Sequence, residues 1–185
     1  MFISIKDLEI RRIEFREEFP PGTKALDLGD EMRLIAPVKT AGRAEMITEH
    51  RGGKETVEDI RVVGDFATEL EFRCARCLES VKVPLANDFD ALFRPLGIDA
   101  RAEEASINEA ETEIGYYDGE GVLLEDVVKE QILLAAPVKM VCAESCQGLC
   151  PQCGKNLNVE KCDCVNSMPD PRWAALEDIR KKLDR

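Results

Sequence analysis

The sequence predicts an α+β fold: an antiparallel β-sheet drawn from the first half of the chain, one packed helix, and a cysteine-rich C-terminal segment. Three observations carry this. Residues Ile60 to Cys74 alternate apolar and polar with period 2. Residues Val122 to Leu134 show an apolar stripe at helical spacing. Six of the eight cysteines crowd between positions 142 and 164.

The elements follow in order. Met32–Ile35 and Val38–Thr48 are weak strand signals. In the strongest alternation, Ile60, Val62, Gly64, Phe66, Thr68, Leu70 and Phe72 share one parity, and Arg61, Asp65, Glu69, Glu71 and Arg73 the other. That is a strand with one face in a core, bent at Gly64. Val81, Val83, Leu85, Phe89, Ala91 and Phe93 continue as a second strand. Between the two, Cys74–Ser80 is short enough to be a hairpin turn. Residues 1–95 are therefore expected to form the antiparallel sheet, with a Cys74/Cys77 knuckle at its turn. Residues 96–121 are expected to be an acidic loop or insert. From Pro95 to Glu130 there are eleven acidic residues and two basic ones, a net of −9, and 99–111 has little apolar content to bury. Its alternative use is an acidic face for a basic partner.

Residues 122–168 are expected to hold the core helix and the cysteine segment. Leu124, Val127, Val128, Ile132 and Ala135 line one side of the helix. Pro137 ends it, because proline pushes its predecessor out of the helical region. Residues 169–185 are expected to be a C-terminal amphipathic helix. Asp170 is its N-cap and Pro171 its first residue, and Trp173, Leu176, Ile179 and Leu183 recur at helical spacing. Arg180, Lys181 and Lys182 suit its C-terminal dipole. This helix either packs on its own domain or docks a partner.

Composition bounds the function. The chain has 185 residues, of which 44% are hydrophobic, and carries 25 Lys plus Arg against 37 Asp plus Glu, a net charge of −12. A globular fold is expected. No run approaches the ~18–20 apolar residues of a membrane helix. The start, Met1-Phe2-Ile3-Ser4-Ile5-Lys6-Asp7, lacks a signal peptide's basic and apolar regions, so a cytoplasmic location is expected. An acidic chain is a poor non-specific binder of nucleic acid, which is held by basic surface.

Cysteines at 74, 77, 142, 146, 150, 153, 162 and 164 in a chain of that compartment favour thiolate–metal chemistry over disulfides. Cys150-Pro151-Gln152-Cys153-Gly154 has the form of a zinc knuckle. Two intervening residues let both sulfurs meet one ion at ~2.3 Å, and Gly154 permits the tight turn that leaves N–H groups free for the thiolates. Zinc is the expected ion for an all-thiolate set, with an iron–sulfur cluster the minor alternative. The expected ligands are Cys74, Cys77, Cys146, Cys150, Cys153, Cys162 and Cys164. Two groupings stand side by side. In one, Cys74 and Cys77 join Cys150 and Cys153 in a zinc ribbon. In the other, Cys150 and Cys153 take Cys162 and Cys164, or Cys146 in place of one. Eight cysteines also allow two ions. Cys142 is set aside as a buried thiol after an apolar run. The metal is expected to be structural, because catalytic zinc keeps an open position and a nearby proton carrier. The single histidine, His50, lies in an expected loop, His50-Arg51-Gly52-Gly53, remote from the knuckles in sequence.

Three blocks resemble the YceD family, the large ribosomal RNA subunit accumulation proteins. They are Phe72-Arg73-Cys74-Ala75-Arg76-Cys77-Leu78-Glu79; Glu130-Gln131-Ile132-Leu133-Leu134-Ala135-Ala136-Pro137; and Cys146 through Asn158 followed by Cys162-Asp163-Cys164 and Asp170-Pro171-Arg172. The resemblance covers about residues 30–185 in order. It implies a bacterial cytoplasmic protein, with chloroplast relatives, that supports synthesis, processing or stability of large-subunit ribosomal RNA. It supplies no catalytic residues.

A non-enzymatic factor of ribosome biogenesis with structural zinc is therefore the expected function. Its partners would be ribosome-assembly or rRNA-processing proteins, a basic ribosomal protein among them, with direct RNA binding weak or indirect and no membrane contact. The alternative is a redox-switched zinc chaperone, since clustered thiolate sites release metal on oxidation. An RNA-hydrolysing enzyme is disfavoured by the lack of a His pair, a metal-binding carboxylate motif or a phosphate loop.

Overall fold

A computed structural model describes residues 1–50, 56–97 and 114–164. The chain divides into two compact units, Met1–Cys74 with Glu79–Cys142, and Ala75–Leu78 with Ala143–Arg185.

The first unit is mostly β. Its elements are β1 (Phe2–Ser4), α1 (Ile5–Ile10), β2 (Ile13–Phe19), β3 (Met32–Leu34), β4 (Val38–His50), β5 (Thr56–Arg73), β6 (Ser80–Pro95), β7 (Ile114–Tyr117), β8 (Gly121–Leu123) and α2 (Leu124–Ala135). The main sheet runs β2-β4-β5-β6-β7, and β3 also pairs β5. The 18-residue β5 is its spine. One edge takes β6 from Ile60↔Phe93 to Arg73↔Ser80, and the other takes β4 and then β3.

The predicted parity is the observed one. Ile60, Val62, Phe66, Leu70 and Phe72 are buried, whereas Asp65, Ala67 and Arg73 are exposed. At Gly64, where β5 pairs without interruption on both sides, the structure shows why a side chain is missing. Phe15, Gly42, Gly64 and Phe89 lie in one cross-strand row over β2, β4, β5 and β6. The two buried rings flank the two glycines, an arrangement in which aromatic groups cover bare backbone.

The architecture differs from the expectation in two respects: the main sheet is mixed, and β1 lies in a separate two-stranded sheet with β8. β7 joins β6 in parallel, Leu92↔Ile114 to Pro95↔Tyr117. Parallel neighbours need a crossover of a dozen or more residues, and the stretch between Pro95 and Ile114 is long enough. Of the acidic loop expected at 96–121, residues 98–113 lie outside the described residues, but the part that follows them contains strand. Ile114–Tyr117 forms β7, and Gly121–Leu123 forms β8, which pairs β1 through Phe2↔Leu123.

Helix α2 begins at Leu124 rather than Val122, because Val122 and Leu123 are used in β8. Leu124, Val127, Val128 and Ile132 are buried, and Ala135 packs beside them. Ala136, ahead of Pro137, is already extended at φ −65, ψ 142. His50 is the last residue of β4, paired with Thr56, and not a loop residue. The C-terminal amphipathic helix expected at 169–185 lies outside the described residues.

One buried charge is built into the sheet. Arg94 on β6 is 4% exposed and donates to both carboxylate oxygens of Asp59, at 3.1 Å and 2.9 Å, and to Glu49 at 2.5 Å. Charge-assisted, two-pronged pairing of this kind is what lets an ionised group stay out of water.

Candidate metal centres

The two Cys-x-x-Cys turns have the same local design. In the β5–β6 turn the Cys74 N–H donates to the Glu79 carbonyl at 2.9 Å; in the C-terminal segment the Cys150 N–H donates to the Lys155 carbonyl at 2.8 Å. In each, the residue after the second cysteine is left-handed: Leu78 at φ 62 and Gly154 at φ 74. That conformation closes the turn so that both thiols project from one side of it. Glycine adopts it freely and leucine does not.

The second unit is organised around its knuckle by backbone hydrogen bonds. Leu149 and Asn156 form an isolated antiparallel bridge, and the Leu157 N–H donates to the Gly148 carbonyl at 2.9 Å. Arg76 is a clamp. Its Nη1 donates to the carbonyls of Glu144 at 2.8 Å and Cys146 at 2.9 Å, while its own carbonyl accepts from the Leu149 N–H at 3.0 Å. Gly148, at φ 76, passes so close to that carbonyl that a Cβ would stand 3.0 Å from it.

Two groups of four thiols result. Cys150, Cys153, Cys162 and Cys164 have their sulfurs within 4.8 Å of one another, and so do Cys74, Cys77, Cys142 and Cys146. Both clusters can bind metal ions. Tetrahedral coordination at 2.3 Å places sulfurs about 3.8 Å apart, so the donor sets fit with little movement. The outer contacts also suit thiolates. The Cys142 N–H points at Cys74 Sγ at 3.3 Å, and Asn158 Nδ2 at Cys146 Sγ at 3.4 Å. The clusters differ in exposure: Cys74, Cys77 and Cys146 are buried and Cys142, expected on sequence to be buried, is exposed. In the other set only Cys150 is buried, Cys153 is exposed and Cys162 and Cys164 are half-buried.

The thiols of the second cluster are strongly split as acids. Backbone N–H groups of Cys153 and Gln152 pull Cys150 down to about 6. Cys164, whose thiol is hydrogen-bonded to Cys153 and shielded from water, is pushed up to about 12. Once one sulfur is charged, its neighbours hold their protons, because anions this close repel. A dication bound among the four sulfurs relieves that conflict by offsetting part of their mutual repulsion, so that all four can coordinate as thiolates.

The structure groups the candidate cysteines in its own way. Cys150 and Cys153 are brought together with Cys162 and Cys164, not with Cys74 and Cys77 as a ribbon across the chain would require. Cys146 lies with Cys74 and Cys77. The fourth sulfur there is that of Cys142, the cysteine set aside on sequence. Its signal was present: Cys142 stands four residues before Cys146, a close pair of its own that answers the Cys74/Cys77 pair. The contributions of Arg76 and Asn158 had no such signal, because one is an ordinary basic residue in a turn and the other an ordinary loop amide.

Fold and thiols together define a mostly β protein with two four-cysteine clusters able to bind metal ions. A family model, Large ribosomal RNA subunit accumulation protein YceD, matches residues 62–180, and the chain belongs to that family. The resemblance drawn from the three sequence blocks is thereby borne out. Among curated relatives, an uncharacterized protein of Mycobacterium tuberculosis (strain ATCC 25618 / H37Rv) is 33% identical over 122 residues, 66% of this chain and 56% of that protein. The Bacillus subtilis (strain 168) protein YlbN is 28% identical over 158 residues, 85% of this chain and 82% of its own length. An Arabidopsis thaliana protein named Large ribosomal RNA subunit accumulation protein YCED homolog 1, chloroplastic, is 29% identical over 58 residues, 31% of this chain and 18% of the plant protein. The chain spans little more than half the length of the mycobacterial relatives it matches. No solved structure matches.

Proposed function

We propose that this chain is a non-enzymatic factor that supports the synthesis, processing or stability of large-subunit ribosomal RNA. The observation that carries the proposal is the family match over residues 62–180, supported by the name of the plant relative. The proposed location is the cytoplasm; among the described residues no helix is long and apolar enough to cross a membrane.

Zinc is the proposed metal, one ion in each four-thiol cluster. Four sulfurs with no imidazole or carboxylate among them suit a closed structural site, and thiolate softness favours zinc among common divalent ions. When bound, the ion supplies a rigid cross-link. The chain's own residues then present the thiolates: Gln152 and Cys153 through their N–H groups, Asn158 through its amide, and Arg76 by holding the loop before Cys146.

Contact with the ribosome is proposed to run through proteins rather than bare RNA, because a chain of net charge −12 is repelled by phosphates. Depletion in cells should lower mature large-subunit ribosomal RNA more than small-subunit RNA. Unchanged large-subunit RNA would remove the proposal. A second reading, a redox-switched zinc chaperone, draws on the exposure of Cys153. It requires that peroxide release zinc and switch on suppression of aggregation.

A further inference from the structure

The first unit carries an apolar groove whose charge specifies what it accepts. Its floor is the buried surface of Phe93, Tyr117 and Val122, and its volume is about 400 Å³. Phe2 and Leu123, paired across β1 and β8, form a wall and remain 51% and 46% exposed. A contiguous apolar surface open to water and rimmed by polar groups is a feature of ligand-binding grooves and protein contacts.

The rim is acidic on every charged side. Asp118 follows β7, and Asp126 and Glu130 stand one turn apart on α2; no lysine or arginine lines the groove. All three are exposed. Among the described residues no salt bridge or side-chain hydrogen bond engages the carboxylate of any of them. Like charges one turn apart weaken a helix. The helix dipole accounts for Asp126 in the first turn but not for Glu130 further along.

We infer that this groove docks a basic, extended segment of another protein, with lysine or arginine on either side of an aliphatic or aromatic side chain. The apolar residue would fill the groove between Phe2 and Leu123, while its cationic neighbours meet Asp118, Asp126 and Glu130. Complementary charge of this kind steers encounter and sets register. A nucleic acid is the wrong occupant, since its phosphates would face three carboxylates. The inference deepens the proposal of a protein-mediated contact with the ribosome and rests on it.

The test uses the full metal-loaded chain labelled with ¹⁵N. Two capped heptapeptides serve as probes, one alternating lysine with leucine and phenylalanine, the other with glutamate replacing lysine. A uridine oligonucleotide is the third probe. The lysine peptide should shift amide signals of Leu123, Asp126 and Glu130, and the other two probes should not. The triple variant Asp118→Asn, Asp126→Asn, Glu130→Gln should bind it about tenfold more weakly. Raising salt from about 50 to about 500 mM should weaken the wild type similarly. Leu123→Ser should weaken binding without changing the salt dependence. Absence of peptide shifts, equal binding by the triple variant, or preference for the oligonucleotide would overturn the groove's assignment. In cells, a deletion strain that loses large-subunit RNA while the triple-variant strain keeps it would overturn the groove alone. A deletion strain with normal RNA would overturn the functional proposal instead.

Discussion

Gly42 stands directly opposite Gly64 across β4 and β5, and neither position has room for a methyl group. A Cβ on Gly42 would lie 2.3 Å from the Val63 carbonyl oxygen, 2.7 Å from the Gly64 Cα and 2.7 Å from the Phe15 ring. A Cβ on Gly64 would lie 2.6 Å from the Ala41 carbonyl oxygen and 3.1 Å from the Phe89 ring. The atoms in the way are largely backbone, so they cannot turn aside.

This reverses the usual sign of a glycine substitution. In an ordinary strand, alanine is favoured over glycine by about 0.5–1 kcal/mol. Here Gly42→Ala and Gly64→Ala should both destabilise, by about 1–3 kcal/mol as overpacking does, with Gly42→Ala the worse. Urea melts followed by circular dichroism would measure it. A gain in stability at either position would show that the sheet relaxes around the added methyl.

Much of this sheet was legible in the sequence because β5 buries one face along most of its length. Alternation is visible when one face is dry and the other wet. The parallel β7 was not legible, since Ile114–Tyr117 is four residues long and its partner lies across a long intervening stretch. Val122 and Leu123 misled for a related reason: two apolar residues ahead of a helical stripe extend that stripe as well as they form a short strand. The thiol chemistry was legible from spacing, but the grouping was not. Spacing shows which sulfurs are near along the chain, whereas folding decides which pairs meet.

The two knuckles invite a paired substitution. Leu78 occupies the left-handed position that Gly154 fills in the other turn, at a cost of about 1–2 kcal/mol for a residue with a Cβ. Leu78 is 59% exposed, so its side chain gives back little by burial. Leu78→Gly should raise the stability of the metal-loaded protein by about 1 kcal/mol. Gly154→Ala should lower it by a similar amount, because nothing lies within 4 Å of a Cβ there and only the backbone conformation is at stake. Thermal melts of both variants would decide it, and a stability loss in Leu78→Gly would contradict the strain argument.

The Arg94–Asp59 pair should behave as a buried charge. Asp59→Ala leaves the guanidinium with Glu49, itself half-open to water, and should cost about 3 kcal/mol or more. Replacing both members together, Asp59→Val with Arg94→Met, should recover a large part of that loss. A double variant no better than Asp59→Ala would mean that the pair contributes to the fold beyond cancelling its own desolvation.

Tyr117 provides a pH test. Burial, reinforced by the charges of Glu58 and Asp59, holds its phenol above the ordinary value, and its hydroxyl donates to the Glu58 carbonyl at 3.0 Å. A group whose pKa is higher folded than unfolded binds its proton more tightly in the folded state. The resulting stability is present below the unfolded value of about 10 and is lost as pH rises through the folded one. Denaturant midpoints should therefore fall above about pH 10, and phenolate absorbance should rise with unfolding. Tyr117→Phe should remove that alkaline component while costing about 1 kcal/mol near neutrality for the lost hydrogen bond. An unchanged alkaline profile in Tyr117→Phe would assign the effect to other groups.

The metal clusters give a test in whole numbers. Two sets of four sulfurs, each set within 4.8 Å, should hold two zinc ions per chain when the protein is prepared under reducing conditions. Cys142→Ser removes a sulfur from one set and Cys153→Ser from the other, so each variant should retain about one ion. The double variant should retain none. Structural zinc provides apparent binding free energy of about 10–16 kcal/mol near neutral pH, so loss of either ion should lower the melting temperature well beyond any ordinary surface substitution. Three thiols of the first set are buried but only Cys150 of the second, so the second set is the more open to chelators and its ion should leave first. Elemental analysis alongside thermal melts would check each step. If Cys142→Ser kept two ions, Cys142 would be a bystander at its cluster and another group would complete the site; if wild-type protein held none, the thiol clusters would have to be read as redox groups.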